Sequence, residues 1–159
     1  MNSSTSLPSP CSSSSCGMRL FQQLSPLYAP YWQDLSKRLT ASPFRSRFRL
    51  KGKDARILPK KGNDRILLET EQILTQRIAD AFPFKDGRQT PMRGYPIFIA
   101  QHACGICCRS CLEKWHHIPK GRPLTRAEIE KLSWCITAWI EEHSSFEEEK
   151  GEFYTPELF

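Results

Sequence analysis

The sequence lacks any run of about 18 apolar residues, the length that a membrane-spanning helix needs. It also lacks a basic segment followed by an apolar core at its beginning, which is the pattern of a secretory signal. We therefore expect a cytoplasmic protein that does not contact membranes. In a reducing compartment, the seven cysteines are predicted to be free thiols or metal ligands rather than disulfides.

Several motifs of common enzymes are absent as well. No glycine-rich loop that cradles phosphate occurs, and no pair of carboxylates flanks the cysteine-rich part of the chain. Zinc deaminases carry a glutamate two positions after a ligand histidine, whereas Cys104 holds that position after His102. These absences favour a binding protein. The alternative is a cysteine/histidine-dependent or metal-dependent enzyme of unknown substrate, which the thiols keep open.

Apolar content and length indicate one modest domain, since the chain has 159 residues of which 39% are hydrophobic. Residues 1–17 are rich in serine and proline and nearly free of apolar side chains, which predicts a disordered tail. Residues 18–143 carry the apolar periodicity of a single globular domain. Residues 144–159 form an acidic tail in this interpretation.

Charge is distributed unevenly along the chain, although the net charge is only +6. Eleven basic and two acidic residues in 37–65 give a charge of +9, whereas 141–159 carries −6. A basic segment of this density attracts polyanions, so we predict non-specific binding to the backbone of a nucleic acid. The alternative is a basic face that is simply solvated.

Residues 44–51 alternate with period two, which predicts a β-strand. Phe44, Phe48 and Leu50 share the parity of the inner face, and a cation occupies every position of the outer face. This outer face is predicted to contact phosphates, together with nearby cations. The predicted nucleic-acid contacts are Arg45, Arg47, Arg49, Lys51, Lys53 and Arg109.

A second, buried strand is predicted at 97–100, which is a continuously apolar run. Helices are predicted from near Pro30, from Asp64 as an N-cap to Pro83, and after Thr125, which forms a capping box with Glu128. The predicted fold class is therefore α+β. It is a small single domain with at least two short strands, three helices and a Cys/His-rich loop-helix.

Four cysteines and three of the four histidines fall within 102–117. Two overlapping C-x-x-C pairs occur there, and such a pair presents two thiolates to one tetrahedral ion. One regular helix would hold Cys104 and Cys111 roughly 10 Å apart, which is too far for shared ligation, and would place His102 and His116 towards the side opposite the thiols. A mixed Cys/His site therefore requires a helix that begins late, near Cys107, after a break at Gly105. The predicted zinc ligands are His102, Cys107, Cys108, Cys111 and His116.

Three other interpretations of these cysteines stay open. They are buried or redox-active thiols without metal, a nucleophilic cysteine, and an iron–sulfur cluster on the four cysteines of the segment.

The segments QTPMRG at 89–94, AQHA at 100–103 and CCRSCLEKWH at 107–116 resemble a family of short bacterial and phage proteins known only as domain of unknown function 4186. The resemblance covers roughly 44–142 and implies a small cytoplasmic domain without an established activity. In the family pattern a threonine usually replaces Cys104, which favours a mixed His/Cys site over a four-cysteine site. A histidine usually replaces Tyr95, so Tyr95 is not expected to mark an essential ligand position.

Overall fold

Residues 19–144 are described by the computed structural model of the chain. The predicted tails at 1–17 and 144–159 lie outside the described residues, apart from Ser144. None of the described helices combines the length and the apolarity that a membrane crossing requires.

In chain order these helices are α1 (Arg19–Ala41), α2 (Ile57–Lys61), α3 (Asn63–Arg77), α4 (Pro96–Ala103), α5 (Arg109–His116) and α6 (Arg126–His143), with 3-10 segments at Arg45–Arg47 and Gly52–Arg56.

The described part of the chain contains no β-strand, so the predicted α+β class is wrong and this part is all-helical. The predicted strand at 44–51 begins with a 3-10 turn that Ser42 organises. The Ser42 carbonyl accepts a hydrogen bond from the Ser46 amide at 2.9 Å, and its hydroxyl accepts one from the Arg45 amide at 3.2 Å. These local hydrogen bonds form a turn. The cations and the apolar residues of 44–51 therefore do not lie on two opposite faces, as they would in a strand.

The second predicted strand, at 97–100, lies within α4. Pro96 stands in the first turn of this helix, where its fixed φ suits the helix and its missing N–H costs no hydrogen bond. Ile97 and Ala100 are fully buried. A short apolar run fits a core helix as well as a core strand, so its periodicity alone does not separate the two.

The helix α6 lies at the centre of the core and packs against α1, α3 and α4. Every residue of 132–140 is buried, as expected for a helix with neighbours on several sides. The predicted capping box at its start is confirmed. The Glu128 amide donates to Thr125 Oγ1 at 3.1 Å, and Glu128 Oε1 accepts from the Thr125 amide at 2.8 Å.

The helix α1 is longer than predicted and continues through Pro26 and Pro30. Its first turn is capped by a side chain from α3, because the carboxylate of Asp64 accepts hydrogen bonds from the amides of Leu20 (3.2 Å) and Phe21 (3.0 Å). Asp64 was predicted to cap its own helix. The carboxylate instead ties the start of α1 to the first turn of α3, which a local pattern does not reveal.

The helix α3 ends at Arg77, several residues before the predicted end at Pro83. The amides of Ile78 and Ala79 both donate to the carbonyl of Leu74 at 2.9 Å, which closes the last turn. Phe82 lies within the predicted helix but beyond the observed end of α3, and it is 84% exposed.

Candidate metal centre

A sharp turn separates α4 from α5 and places the cysteine-rich segment outside a regular helix. Gly105 has φ +71°, and a Cβ atom there would lie 2.7 Å from the ring of Trp115. Only glycine fits this turn without strain or a steric clash. Cys108 is the N-cap of α5, so this helix begins at Arg109. The late start that a shared site requires is present in the structure.

The thiols of Cys107, Cys108 and Cys111 form one cluster, which we call the three-thiol group. Their Sγ atoms all lie within 4.8 Å of one another. Around a tetrahedral ion with Zn–S bonds of about 2.3 Å, two sulfur ligands lie about 3.8 Å apart, so small side-chain movements suffice for shared ligation. Within the described residues, no further His, Cys, Asp or Glu joins this group. The three cysteines could therefore hold a metal ion.

The guanidinium of Arg45, in the 3-10 segment Arg45–Arg47, contacts the three-thiol group. Arg45 Nη2 donates to Cys111 Sγ at 3.1 Å, and Nη1 approaches Cys107 Sγ at 3.7 Å. Nη1 also donates to the carbonyl of His102 at 2.6 Å. Arg45 is only 9% exposed, so its charge is held against the sulfur atoms rather than in solvent.

The pKa of each thiol in the three-thiol group is raised from its usual value. The main cause for Cys107 is a hydrogen bond with Cys108, and for Cys111 it is a hydrogen bond with Cys107. For Cys108, the contact with Cys107 lowers the pKa, but the contact with Cys111 and burial outweigh it. The thiols are therefore protonated at neutral pH until an ion displaces their protons, which makes metal binding depend on pH.

His102 lies beside this centre, but its ring is engaged elsewhere. Its Nε2 lies 3.0 Å from the carbonyl of Thr90 and 3.2 Å from that of Pro91. A carbonyl only accepts, so Nε2 carries a proton and donates to these oxygens. The ring also stacks on Phe48, with centroids 5.8 Å apart. Burial lowers the pKa of His102, so the neutral form is favoured.

His116, the other predicted histidine ligand, uses both ring nitrogens in the core. Its Nε2 donates to the carbonyl of Cys104 at 2.9 Å, and its Nδ1 accepts from the Tyr31 hydroxyl at 2.6 Å. Burial lowers the pKa of His116 to about 4. The structure therefore brings together three of the five predicted ligands and engages the two histidines in other hydrogen bonds.

Cys104 and Cys135 lie apart from the three-thiol group in the hydrophobic core, and both are fully buried. Burial raises the pKa of both thiols. Both cysteines therefore fill apolar space, as expected for cysteines on buried helical faces.

Two of the predicted nucleic-acid contacts, Arg45 and Arg109, lie inside the protein. Arg109 is fully buried, and its Nη1 and Nη2 donate to the carbonyls of Asp80 at 2.7 Å and Pro119 at 3.0 Å. Guanidinium groups that are buried and bound in this way do not present their N–H donors to a phosphate. Arg109 instead joins the loops that contain Asp80 and Pro119, and Arg45 joins its 3-10 segment to α4 and α5.

The other four predicted contacts, Arg47, Arg49, Lys51 and Lys53, are exposed. Three of them line a groove of about 510 Å³ together with Arg93, and we call this the basic groove. No residue of the lining is acidic. The full lining consists of Arg47, Phe48, Arg49, Lys51, Met92, Arg93 and Ile99.

Two residues hold roles at the metal centre that the sequence did not indicate. Arg45 reaches Cys107 across 62 positions, and the Thr90 hydroxyl donates to the Cys107 carbonyl at 2.8 Å across 17 positions. Both contacts depend on the tertiary fold, and neither residue type at these positions carries a local signal for them.

The family model described as Domain of unknown function (DUF4186) matches residues 33–141 of the chain, which includes the three-thiol group and the basic groove. No solved structure matches the chain.

Proposed function

The chain belongs to the family described as Domain of unknown function (DUF4186), and from its geometry we propose that it is a zinc-binding module whose basic groove binds the backbone of nucleic acids. The observation that carries the proposal is the arrangement of three clustered thiols against one buried guanidinium.

Zinc fits the charge and the softness of the three-thiol group. Thiolates are soft ligands that select zinc over hard ions such as Mg²⁺ and Ca²⁺. Three thiolates and one Zn²⁺ carry a net charge of −1, and the guanidinium of Arg45 compensates that charge within hydrogen-bond distance of Cys111. Hydrogen bonds to ligand atoms from the surrounding residues also fix ligand orientation. Because the rings of His102 and His116 make hydrogen bonds elsewhere, we limit the proposed ligands to Cys107, Cys108 and Cys111. His102 is a supporting residue, since its carbonyl accepts from Arg45.

The number of ligands favours a second candidate function, a metal-dependent enzyme. Structural zinc sites usually have four protein ligands, whereas catalytic sites keep a position for water or substrate. Within the described residues, the three-thiol group supplies three ligands. Cobalt-substituted protein distinguishes the two functions. A visible spectrum that shifts when imidazole or a small thiol is added supports an exchangeable position, and a spectrum that does not change supports a closed structural site.

Metal analysis of purified protein tests the zinc site. We expect about one zinc per chain in the wild type, and a loss of most of it in Cys108→Ser and Cys111→Ser, because each change removes one thiolate ligand. The matched control is Cys104→Ala, which removes a cysteine of the same segment outside the three-thiol group. Zinc content that is equal in all four proteins, or absent from the wild type after refolding with zinc, contradicts the proposal.

The basic groove supports the second half of the proposal. Four cations converge on one groove without an acidic residue in its lining. Such a surface binds phosphates in a manner that depends on salt and little on sequence. The three-thiol group would hold the adjoining segment, because Arg45, Phe48 and the carbonyl of His102 connect the groove to the metal centre.

Salt-dependent binding of a labelled oligonucleotide tests this part. We expect the triple variant Arg47→Gln, Arg49→Gln, Lys51→Gln to bind more weakly. The slope of log Kd against log salt is expected to fall by about three, because three fewer counterions are released on binding. The control carries the same number of changes at exposed cations outside the groove, Lys114→Gln, Lys120→Gln, Arg126→Gln. Equal losses in both triple variants would show that general charge and not the groove determines binding.

A further inference from the structure

A second cavity, of about 380 Å³, lies next to the basic groove, and we call it the aromatic cavity. Its volume falls in the range of small-molecule sites in proteins. Phe48 and Arg49 line both the cavity and the groove, so the two spaces are neighbours. The other principal lining residues are Trp32, Arg45, Trp139 and His143.

Aromatic rings form much of the wall of this cavity and are held in place. Trp139 and His143 are stacked, with centroids 4.1 Å apart and an angle of 15° between the rings. Trp32 Nε1 donates to Glu142 Oε1 at 2.7 Å, which fixes the indole against α6. Phe48 is supported from behind by the ring of His102. A planar ring is the ligand shape that such walls favour.

The charges of the aromatic cavity differ from those of the basic groove. The carboxylate of Glu142 lines the cavity and repels phosphate, but it accepts hydrogen bonds from N–H groups. The Nη atoms of Arg45 are directed to the His102 carbonyl and the thiols. The groove has no acidic lining residue. The cavity therefore suits an uncharged ring with N–H donors, whereas the groove suits phosphates.

The 3-10 turn places aromatic residues among the cations of this surface. The Arg47 guanidinium carbon lies 4.5 Å from the centroid of Phe44 and 5.9 Å from that of Phe48. Phe44 is 41% exposed. In the predicted strand these rings would have faced away from the cations. In the structure, cations and aromatic rings share one surface, which is typical of proteins that bind single strands.

We infer that the protein binds single-stranded nucleic acid, with the backbone in the basic groove and one unstacked base in the aromatic cavity. This inference rests on the proposed binding of nucleic acid by the groove. A base in a duplex is paired and stacked, so its extraction breaks both interactions, whereas a base in a single strand enters the cavity without breaking a base pair. Stacking on aromatic side chains then favours the single strand over the duplex.

Fluorescence anisotropy with labelled strands of about 12 nucleotides tests this inference. The probes are a DNA strand, an RNA strand of the same sequence, and the DNA duplex. We expect the preferred single strand to bind at least about ten-fold more tightly than the duplex. Binding of neither strand nor duplex overturns the proposed function itself. Equal binding of single strand and duplex, lost in the groove triple variant, leaves the proposed function in place and overturns the base-binding inference.

Two variants test the cavity, and one of them changes no residue that lines the groove. Phe48→Leu removes the shared aromatic wall, and Ser36→Trp fills the cavity from a position that does not line the groove. Both are expected to reduce single-strand affinity about ten-fold. Duplex affinity is expected to stay unchanged in Ser36→Trp and to fall less than single-strand affinity in Phe48→Leu, because Phe48 also lines the groove. The matched control is Phe82→Leu, an exposed phenylalanine that lines neither space. Unchanged single-strand affinity in folded Phe48→Leu and Ser36→Trp overturns the inference.

Photocrosslinking keeps the test independent of any effect of these changes on folding. A strand that contains 5-iodouracil is irradiated with the wild-type protein, and the crosslinked peptides are sequenced. Crosslinks to Phe48, Trp139 or His143 support the inference. Crosslinks confined to residues outside the aromatic cavity overturn it.

Discussion

Arg45 and Cys111 lie 66 positions apart in the sequence, and Arg45 Nη2 donates to the Sγ of Cys111 at 3.1 Å. This contact joins the segment that lines the basic groove to the proposed zinc ligands. It also gives the buried guanidinium a partner of complementary charge when the thiols are metal-bound. A buried charge without such a partner is strongly destabilising.

We predict that Arg45→Gln lowers the affinity for zinc about 10- to 100-fold, which is the usual effect of losing a residue that supports a metal ligand. The loss follows because glutamine does not carry the positive charge that compensates three thiolates. Competition with a chromophoric chelator measures the affinity. Arg47→Gln is the control, since Arg47 is an exposed neighbour. Equal zinc affinity in both variants contradicts the role assigned to Arg45.

The buried histidine predicts a dependence of stability on pH. The folded-state pKa of His116 is about 4, against a usual value of 6.5. Because the unfolded chain binds a proton more readily, the free energy of unfolding falls as pH drops below 6.5 and levels off below about 4. The total loss from this residue is about 3 kcal/mol.

Urea unfolding at several pH values tests this prediction, with a chelator present so that zinc release does not contribute. His116→Gln keeps an N–H donor for the carbonyl of Cys104 but does not titrate. We expect a shallower pH dependence in His116→Gln than in the wild type. The same slope in His116→Gln and wild type would show that other groups cause the effect.

We predict that Gly105→Ala destabilises the protein by at least about 2 kcal/mol, because a Cβ atom would lie 2.7 Å from the Trp115 ring at a positive φ. Gly94→Ala separates the two causes, since Gly94 has φ +107° but no atom within 4 Å of the added Cβ. It is expected to cost only about 1 kcal/mol. Chemical denaturation measures both values. Equal costs would mean that the Trp115 contact relaxes freely.

We predict that Asp64→Ala lowers the free energy of unfolding by about 1 kcal/mol, because two amides in the first turn of α1 lose their acceptor. The control is Asp34→Ala in α1, which removes an exposed carboxylate that forms an i,i+4 ion pair with Arg38 and does not cap the helix. Urea unfolding at neutral pH compares the two. A smaller loss in Asp64→Ala than in Asp34→Ala contradicts the capping role.

Local patterns predicted the parts of the fold that depend on neighbouring residues. The capping box of Thr125 and Glu128 and the long helix after it follow from adjacent side chains and are present. The two strands were wrong for different reasons. The structure of 44–51 is determined by the hydrogen bonds of Ser42 and by the burial of Arg45, neither of which the alternation shows. The short apolar run 97–100 carries no periodicity that separates a buried helix from a buried strand.

The candidate site, like the fold, could be predicted only where it depends on residues that are close in sequence. The spacing of Cys107, Cys108 and Cys111 and the break at Gly105 are local, and the structure contains both. The partners of His102 and His116 could not be predicted, because backbone carbonyls outside their own helix turns accept from Nε2 of each ring, and the hydroxyl of Tyr31 in α1 donates to Nδ1 of His116. The amino-acid sequence does not show where backbone oxygens lie.

The position of the three thiols within five consecutive residues has a consequence for folding. A chelate ring of this length closes with little loss of chain entropy, so the proposed zinc ion would also bind the unfolded chain. An ion that binds both states stabilises the native state only by the ratio of its two affinities. That ratio depends on contacts which the native state alone makes, and Arg45 supplies one of them. The proposed ion would therefore bind during synthesis. It would stabilise the native state over the unfolded chain only after folding has brought Arg45 into contact with Cys111.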